Sequence, residues 1–230
     1  MIILGGCFSF LNLFSAIYKL IKTGGCICTK LHLKTWYFKE KYLKGLENDP
    51  LVIFDLGSLD VNGSYREFFN KPPWIYKGLD VTAGKNVDIV LKNNYRWSEI
   101  RSDSIDVLIS GQAFEHIEFF WITMLEIARI LKPGGLCCII APSGGPEHKY
   151  PVDCWRFFPD GFSALARFAR LKIEESGNRS PNSQQPLSKK DMWKDSVLIC
   201  RKRKLSFFYA YRNFIWRKCM HAVLTYRLPH

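Results

Sequence analysis

The chain has 230 residues, is 47% hydrophobic and 15% aromatic, and carries a formal net charge of +12. That length and apolar content exclude a disordered chain and allow one domain with a full core plus extensions. Residues 51–200 hold as many acids as bases, so the excess lies at the ends, +4 in residues 1–50 and +8 in residues 201–230, which excludes a central domain built as a polycation.

Met1 to Tyr18 contains no charged side chain, and Lys19 and Lys22 follow it. It lacks the basic start and small-residue cleavage site of a secretory signal. It stands at the lower limit for a membrane span and reads as a packed or interfacial helix, with a span as the alternative. Leu31 to Leu46, rich in aromatics and lysine, reads as a helix leading into the domain, broken by Glu47-Asn48-Asp49-Pro50.

From residue 51 the pattern alternates. Leu51 to Phe54 is an apolar strand that ends at Asp55, and Gly57 turns the chain. Ser64 to Asn70 reads as a helix stopped by Pro72 and Pro73. Strands follow at Ile75–Leu79, ending at Asp80, then at Val87–Leu91 and Ile105–Ser110, with a turn at Gly111. Phe119 to Leu131 is a helix with Phe120, Met124, Ile127 and Leu131 on one face, stopped by Lys132-Pro133-Gly134-Gly135. Leu136–Ala141 is a fully apolar strand. Pro142–Pro159 is an irregular loop long enough to carry function. A helix at Asp160–Phe168 and strands at Lys172–Ser176 and Ser196–Cys200 complete the set, with a mobile polar loop at Ser180–Lys190. Seven strands alternating with helices predict an α/β, Rossmann-like, mostly parallel seven-stranded sheet. Helices cover both faces, with helical N- and C-terminal extensions, and ligands bind at the strands' C-terminal ends. The domain boundaries read as 1–49, 50–200 and 201–230.

The eight cysteines show no paired zinc spacing, so they read as reduced thiols of a cytosolic protein, and no metal centre is expected. Asp80, at the end of the second strand, can accept hydrogen bonds from both hydroxyls of a ribose. A dinucleotide turn would need G-x-G-x-x-G. Here only Gly57 and Gly63 are present, and Asp60 between them would repel a pyrophosphate. A cationic or zwitterionic ligand fits better.

Asp55-Leu56-Gly57-Ser58, Gly78-Leu79-Asp80, Ser104 to Ser110 and Leu131-Lys132-Pro133-Gly134-Gly135 together resemble the class I S-adenosylmethionine-dependent methyltransferases with a type 11 domain. Ser110 to His116 and Pro146 to Phe157 resemble a bacterial subgroup tied to surface-glycan pathways. The resemblance covers about residues 50–200 and departs at Leu59 and Asp60, where the family has its second loop glycine.

The resemblance implies that Asp55, Gly57 and Ser58 hold the methionine end of S-adenosylmethionine. It gives Asp80 the ribose, Val81 the adenine face, Asn94 the adenine edge, and Gln112 and Ala113 the surroundings of the sulfur. His116 packs near the cofactor. His148, with Asp153 beside it, is the candidate general base, because a histidine oriented by a carboxylate titrates near neutral pH. Tyr150, Trp155 and Arg156 are candidates for acceptor contact. Asn70-Lys71-Pro72-Pro73-Trp74 mimics the motif of amino-methylating nucleic-acid enzymes but precedes the second strand.

The tail from Arg201 interleaves aromatics with basic residues and reads as a helix at an anionic membrane surface, with nucleic acid as the rival partner. The expectation is methyl transfer to a hydroxyl of a saccharide, glycolipid or other small molecule, in the cytoplasm or at the inner membrane face. The alternatives are an RNA methyltransferase and a non-catalytic module that binds a membrane or partner.

Overall fold

The computed structural model of the protein describes residues 27–61, 63–178 and 194–226. The apolar stretch 1–18 and the polar loop 180–190 lie outside the described residues. The strands are β1 (Val52–Leu56), β2 (Ile75–Asp80), β3 (Ile89–Val90), β4 (Ile105–Gly111), β5 (Leu131–Gly144), β6 (Lys172–Gly177) and β7 (Lys194–Arg201). The helices are α1 (Ile27–Tyr42), α2 (Arg66–Phe69), α3 (Phe120–Ile130), α4 (Pro159–Phe168) and α5 (Phe207–Thr225), with a 3-10 turn at Phe114–His116.

The strands form one sheet in the order β3-β2-β1-β4-β5-β7-β6. β1 to β5 pair in parallel, whereas β7 runs antiparallel to both β5 and β6. The sheet is therefore mixed. β6 and β7 are consecutive in the chain, and neighbours joined directly pair antiparallel, since a parallel pair needs a crossover. The strand order reverses between β1 and β4, and a crevice opens at such a switch point outside the strands' C-terminal ends.

The two-residue period of the strands sorts the core into two layers. Phe54, Leu108, Ile139 and Leu198 face α3 and α4, and pack with Met124, Ile127, Phe162 and Leu165. Ile53, Ile109, Cys138, Ile140 and Ile199 face the other way, toward Phe38 of α1 and Phe69 of α2.

α3 departs from the one-sided pattern expected of it. Every residue from Ile122 to Ala128 is buried, including Thr123 and Glu126. α5 is the reason, because it lies over α3: His221 Nε2 stands 3.7 Å from Glu126 Oε1 and also meets the Tyr95 carbonyl. Trp216 anchors the same helix, with the Arg170 guanidinium 4.2 Å above its ring. The first turns of α5 leave Phe207, Phe208, Tyr209 and Tyr211 exposed.

Lys132-Pro133-Gly134-Gly135 ends α3 as expected but is itself part of β5. The register of β5 shifts opposite Ile105 and Val107, and a proline without an amide hydrogen is tolerated at such an irregularity. A Cβ on Gly135 would stand 2.9 Å from the Lys132 oxygen and 3.0 Å from the Asp106 oxygen, so only glycine fits between these backbones. Among the described residues, Cys137, Cys138 and Cys200 are buried free thiols, and Cys154 and Cys219 are exposed ones.

Candidate active site

The register places the ends of β2, β1 and β4 side by side, with Leu56 opposite both Leu79 and Ser110. Asp55 therefore lies one step from the end of β1, and Asp80 lies at the end of its neighbour β2. Gly57 turns the chain with φ +78°, in the left-handed region that favours glycine. A Cβ there would come within 2.3 Å of the Ala113 Cβ, so the loops after β1 and β4 touch at this point. Gln112, just before Ala113, also has a positive φ, of 55°. Such strain in a non-glycine residue is typical of functional loops.

Asp55 is buried and accepts a hydrogen bond from the Tyr76 hydroxyl. Burial pushes its carboxyl up to about 7, against the opposing pull of Tyr76 and of Arg66, while nearby Asp80 raises it further. A positive ligand beside it would restore the ionised form. Asp80 accepts from the Leu59 amide at 3.2 Å and the Thr82 amide at 2.9 Å. Val81 and Val90 are both about half exposed, and Val90 pairs with Asp80 in the sheet, leaving an uncovered apolar rim beside that carboxylate.

Ser58 is buried, with its hydroxyl on the Asn86 carbonyl at 3.3 Å and its amide on the Leu79 carbonyl at 3.1 Å. It shapes the loop and has no spare donor on those atoms. Asp60 forms a 2.7 Å ion pair with Lys85, so the loops after β1 and β2 are also tied together. The Gln112 side chain donates to Asp195 at 3.0 Å, and Asp195 also pairs with Lys34 of α1 at 2.9 Å. Asn94 lies in the turn after β3, where its carbonyl accepts from the Trp97 ring at 3.1 Å and the Thr123 hydroxyl at 3.2 Å.

The loop after β5, residues 145–158, folds back onto the 3-10 turn after β4. The Cys154 amide donates to the Glu115 carbonyl at 2.8 Å, and the Val152 carbonyl meets His116 Nδ1. This brings His116 and His148 edge to face, with ring centroids 5.0 Å apart. The His148 amide donates to Asp153 at 2.7 Å, and His148 Nδ1 lies 3.3 Å from the same carboxylate. Arg156 grips Asp153 with two bonds of 2.6 and 2.7 Å, which hold that carboxyl far below its usual range. Burial lowers His116. Tyr150, Trp155 and Phe158 stand exposed around the pair.

Glu115 is absent from the sequence-derived set, yet it is central here. Its side chain is fully buried, and among the described residues neither oxygen has a hydrogen-bond partner from another residue. Burial pushes it up to about 8, with Asp195 and Asp153 adding to the rise. An acidic residue set between Phe114 and His116, just after an apolar strand, was the available signal. Folding also brings ligand atoms of Glu115, His116 and His148 within 4.8 Å of one another, although these residues share no local spacing in the sequence.

A hollow of about 650 Å³ lies at the opposite end of the sheet, lined by Gly134, Lys172 and residues 201–205. Its lining contains no histidine or carboxylate, whereas Asp55, Asp80, Glu115, His116 and His148 lie beyond or at the strands' C-terminal ends.

Residues 77–139 match the family model described as a methyltransferase domain. This is a methyltransferase fold. A Galdieria sulphuraria protein provisionally named a sarcosine dimethylglycine methyltransferase superposes with a TM-score of 0.55 at 16% identity, over 76% of this chain and 87% of its own. The YcgJ protein of Bacillus subtilis gives 0.52 at 13%, over 76% and 99%. The [4+2]-cyclase SpnF gives 0.55 at 13%, over 75% and 80%. At these identities the likeness is one of fold. No curated protein matches the chain. The matched domain implies S-adenosylmethionine as the cofactor. Among the described residues no helix is long and apolar enough to cross a membrane.

Proposed function

We propose that this protein transfers the methyl group of S-adenosylmethionine to a hydroxyl of a saccharide, a glycolipid or another small molecule. The observation that carries the reading is the pairing of Asp55 and Asp80 at adjoining strand ends, beside the Gly57–Ala113 contact that a side chain would fill. A buried carboxylate raised by desolvation suits a cationic nucleoside and disfavours a phosphate. Asp80 would hold the ribose, the rim at Val81 would face the base, and Asp55 with the Gly57 turn would lie toward the charged methionine end.

When bound, the cofactor supplies a methyl group already activated by its sulfonium. The chain's own task is to orient a hydroxyl and assist the departure of its proton. Orientation alone can contribute roughly 7–11 kcal/mol. His148, with its ring set by Asp153, is assigned to the acceptor's proton, a role that adds about 10²- to 10⁴-fold in rate. Exposed Tyr150, Trp155 and Phe158 offer ring faces and one free rim to a sugar. Where the acceptor is lipid-linked, α5 would rest on the anionic surface through Phe207 and Phe208, with Arg203 and Lys204 near the headgroups.

Calorimetry with S-adenosylmethionine, followed by labelled-methyl transfer into fractionated extracts, tests the reading. Binding that is lost in Asp80→Ala, with label in a saccharide or lipid fraction, is the expected result. Absence of binding to the unsubstituted protein would refute it.

A further inference from the structure

Three ligand atoms converge where the loop after β5 meets the turn after β4. Glu115 Oε1 stands 3.7 Å from His116 Nε2 and 3.8 Å from His148 Nε2, and all three atoms lie within 4.8 Å of one another. The tautomers follow from the neighbours. His116 Nδ1 faces the Val152 carbonyl, which can only accept, so Nδ1 carries the hydrogen and Nε2 keeps its lone pair. His148 Nδ1 lies 3.3 Å from the Asp153 carboxylate, a neighbour that favours the hydrogen on that nitrogen. Glu115 is fully buried, and neither of its oxygens has a partner from another residue. Two imidazole nitrogens and a buried carboxyl that lacks a partner from another residue thus face one gap, an arrangement that a cation resolves.

We propose that Glu115, His116 and His148 form a binding site for one divalent cation of the zinc class. Tetrahedral ligands about 2.0–2.2 Å from zinc stand about 3.4 Å apart, so shifts of a few tenths of an ångström bring each imidazole to the carboxylate, and a further approach of the two imidazoles, now within 4.8 Å, closes the coordination shell. Metal-bound imidazoles are commonly oriented through the second ring nitrogen by a carbonyl or carboxylate. Here Val152 and Asp153 fill those places, and Arg156 fixes Asp153 in turn. Two imidazoles and one carboxylate suit zinc, cobalt or ferrous iron, whereas calcium and magnesium prefer all-oxygen sets.

Three protein ligands leave a fourth position open to the acceptor. A hydroxyl coordinated there releases its proton to solvent water more readily, and its oxygen keeps the electron pair that attacks the methyl carbon. In the loaded protein His148 is a ligand, and water takes the proton in its place. This role rests on the proposed methyl transfer, whereas the site itself does not.

The test uses the full chain, stripped with a chelator and then titrated with Co²⁺ followed by visible absorption and with Zn²⁺ by calorimetry. One equivalent should bind with the intense cobalt bands of a low-coordinate site, and zinc should displace it. Glu115→Gln and His148→Ala should each weaken binding by about tenfold or more, while Cys154→Ser should not. His148 is on a surface loop, so its variant remains informative if the buried Glu115 variant does not fold. No cobalt spectrum, or unchanged zinc affinity in His148→Ala, would overturn the site. Calorimetry with S-adenosylmethionine on the same samples separates the two readings. Cofactor heat without a cobalt spectrum removes the cation site alone, and a cobalt spectrum without cofactor heat removes the methyl-transfer reading alone.

Discussion

Asp55→Asn is expected to stabilise the unliganded protein and to weaken cofactor binding, and the stabilisation should depend on pH. The folded Asp55 carboxyl holds its proton up to about pH 7, whereas the unfolded one releases it near the ordinary value of 3.8. Between those values the native state binds more protons, so this group's contribution to stability falls as pH rises and is lost by about pH 7. From pH 5 to pH 8 the folded group passes two pH units of that window, at about 1.36 kcal/mol each, or about 3 kcal/mol. Asparagine has the same shape, can still accept from Tyr76 and carries no charge to bury. The Tm advantage of Asp55→Asn over the unsubstituted protein should therefore grow by about 6–12 °C between pH 5 and pH 8 for a chain of this size. Scanning calorimetry of both proteins at the two pH values measures that difference, and the other titrating groups cancel in it. An equal Tm difference at pH 5 and pH 8 would refute the account of Asp55 as a carboxylate strained by burial. S-adenosylmethionine should narrow the gap, because it binds the unsubstituted protein more tightly.

Gly57→Ala should cost about 1–3 kcal/mol, since it combines a positive φ with a Cβ placed 2.3 Å from Ala113, and urea denaturation reports the loss. Asp80→Ala should leave the unfolding midpoint within about 1 kcal/mol and reduce S-adenosylmethionine affinity by roughly tenfold or more in calorimetry. Replacing Phe207 and Phe208 together by serine should reduce co-sedimentation with anionic liposomes and leave cofactor affinity unchanged, because both side chains are exposed and far along the chain from Asp55 and Asp80. Equal sedimentation of the two proteins would remove the membrane role of α5.

The placement of Asp55 and Asp80 at adjoining strand ends was legible because it is local. Asp55 and Asp80 each end an apolar run, and strands paired in parallel bring their ends level without further information. The meeting of Glu115, His116 and His148 depends on the loop after β5 returning to the turn after β4. That return is set by backbone bonds such as Cys154 to Glu115, which carry no sequence signature. For that reason His148 was visible as a histidine near a carboxylate, whereas its meeting with Glu115 was not. Gln112 shows the same limit from the other direction. Its place after β4 pointed to the cofactor, yet its side chain is taken by Asp195, a residue of β7. The antiparallel β7 and the all-round burial of α3 were hidden too, since each follows from which element packs next to it.

The Glu115 main chain holds the loop that carries His148, while the Glu115 side chain faces that same histidine. Lifting the loop to admit a bulky acceptor would thus pull the reactive trio apart, and lowering it would rebuild the trio around whatever had entered. A molecule too large for the closed arrangement, or too small to keep the loop down, would meet a dismantled centre. On the proposed methyl transfer, the position of this loop would thus select acceptors by size.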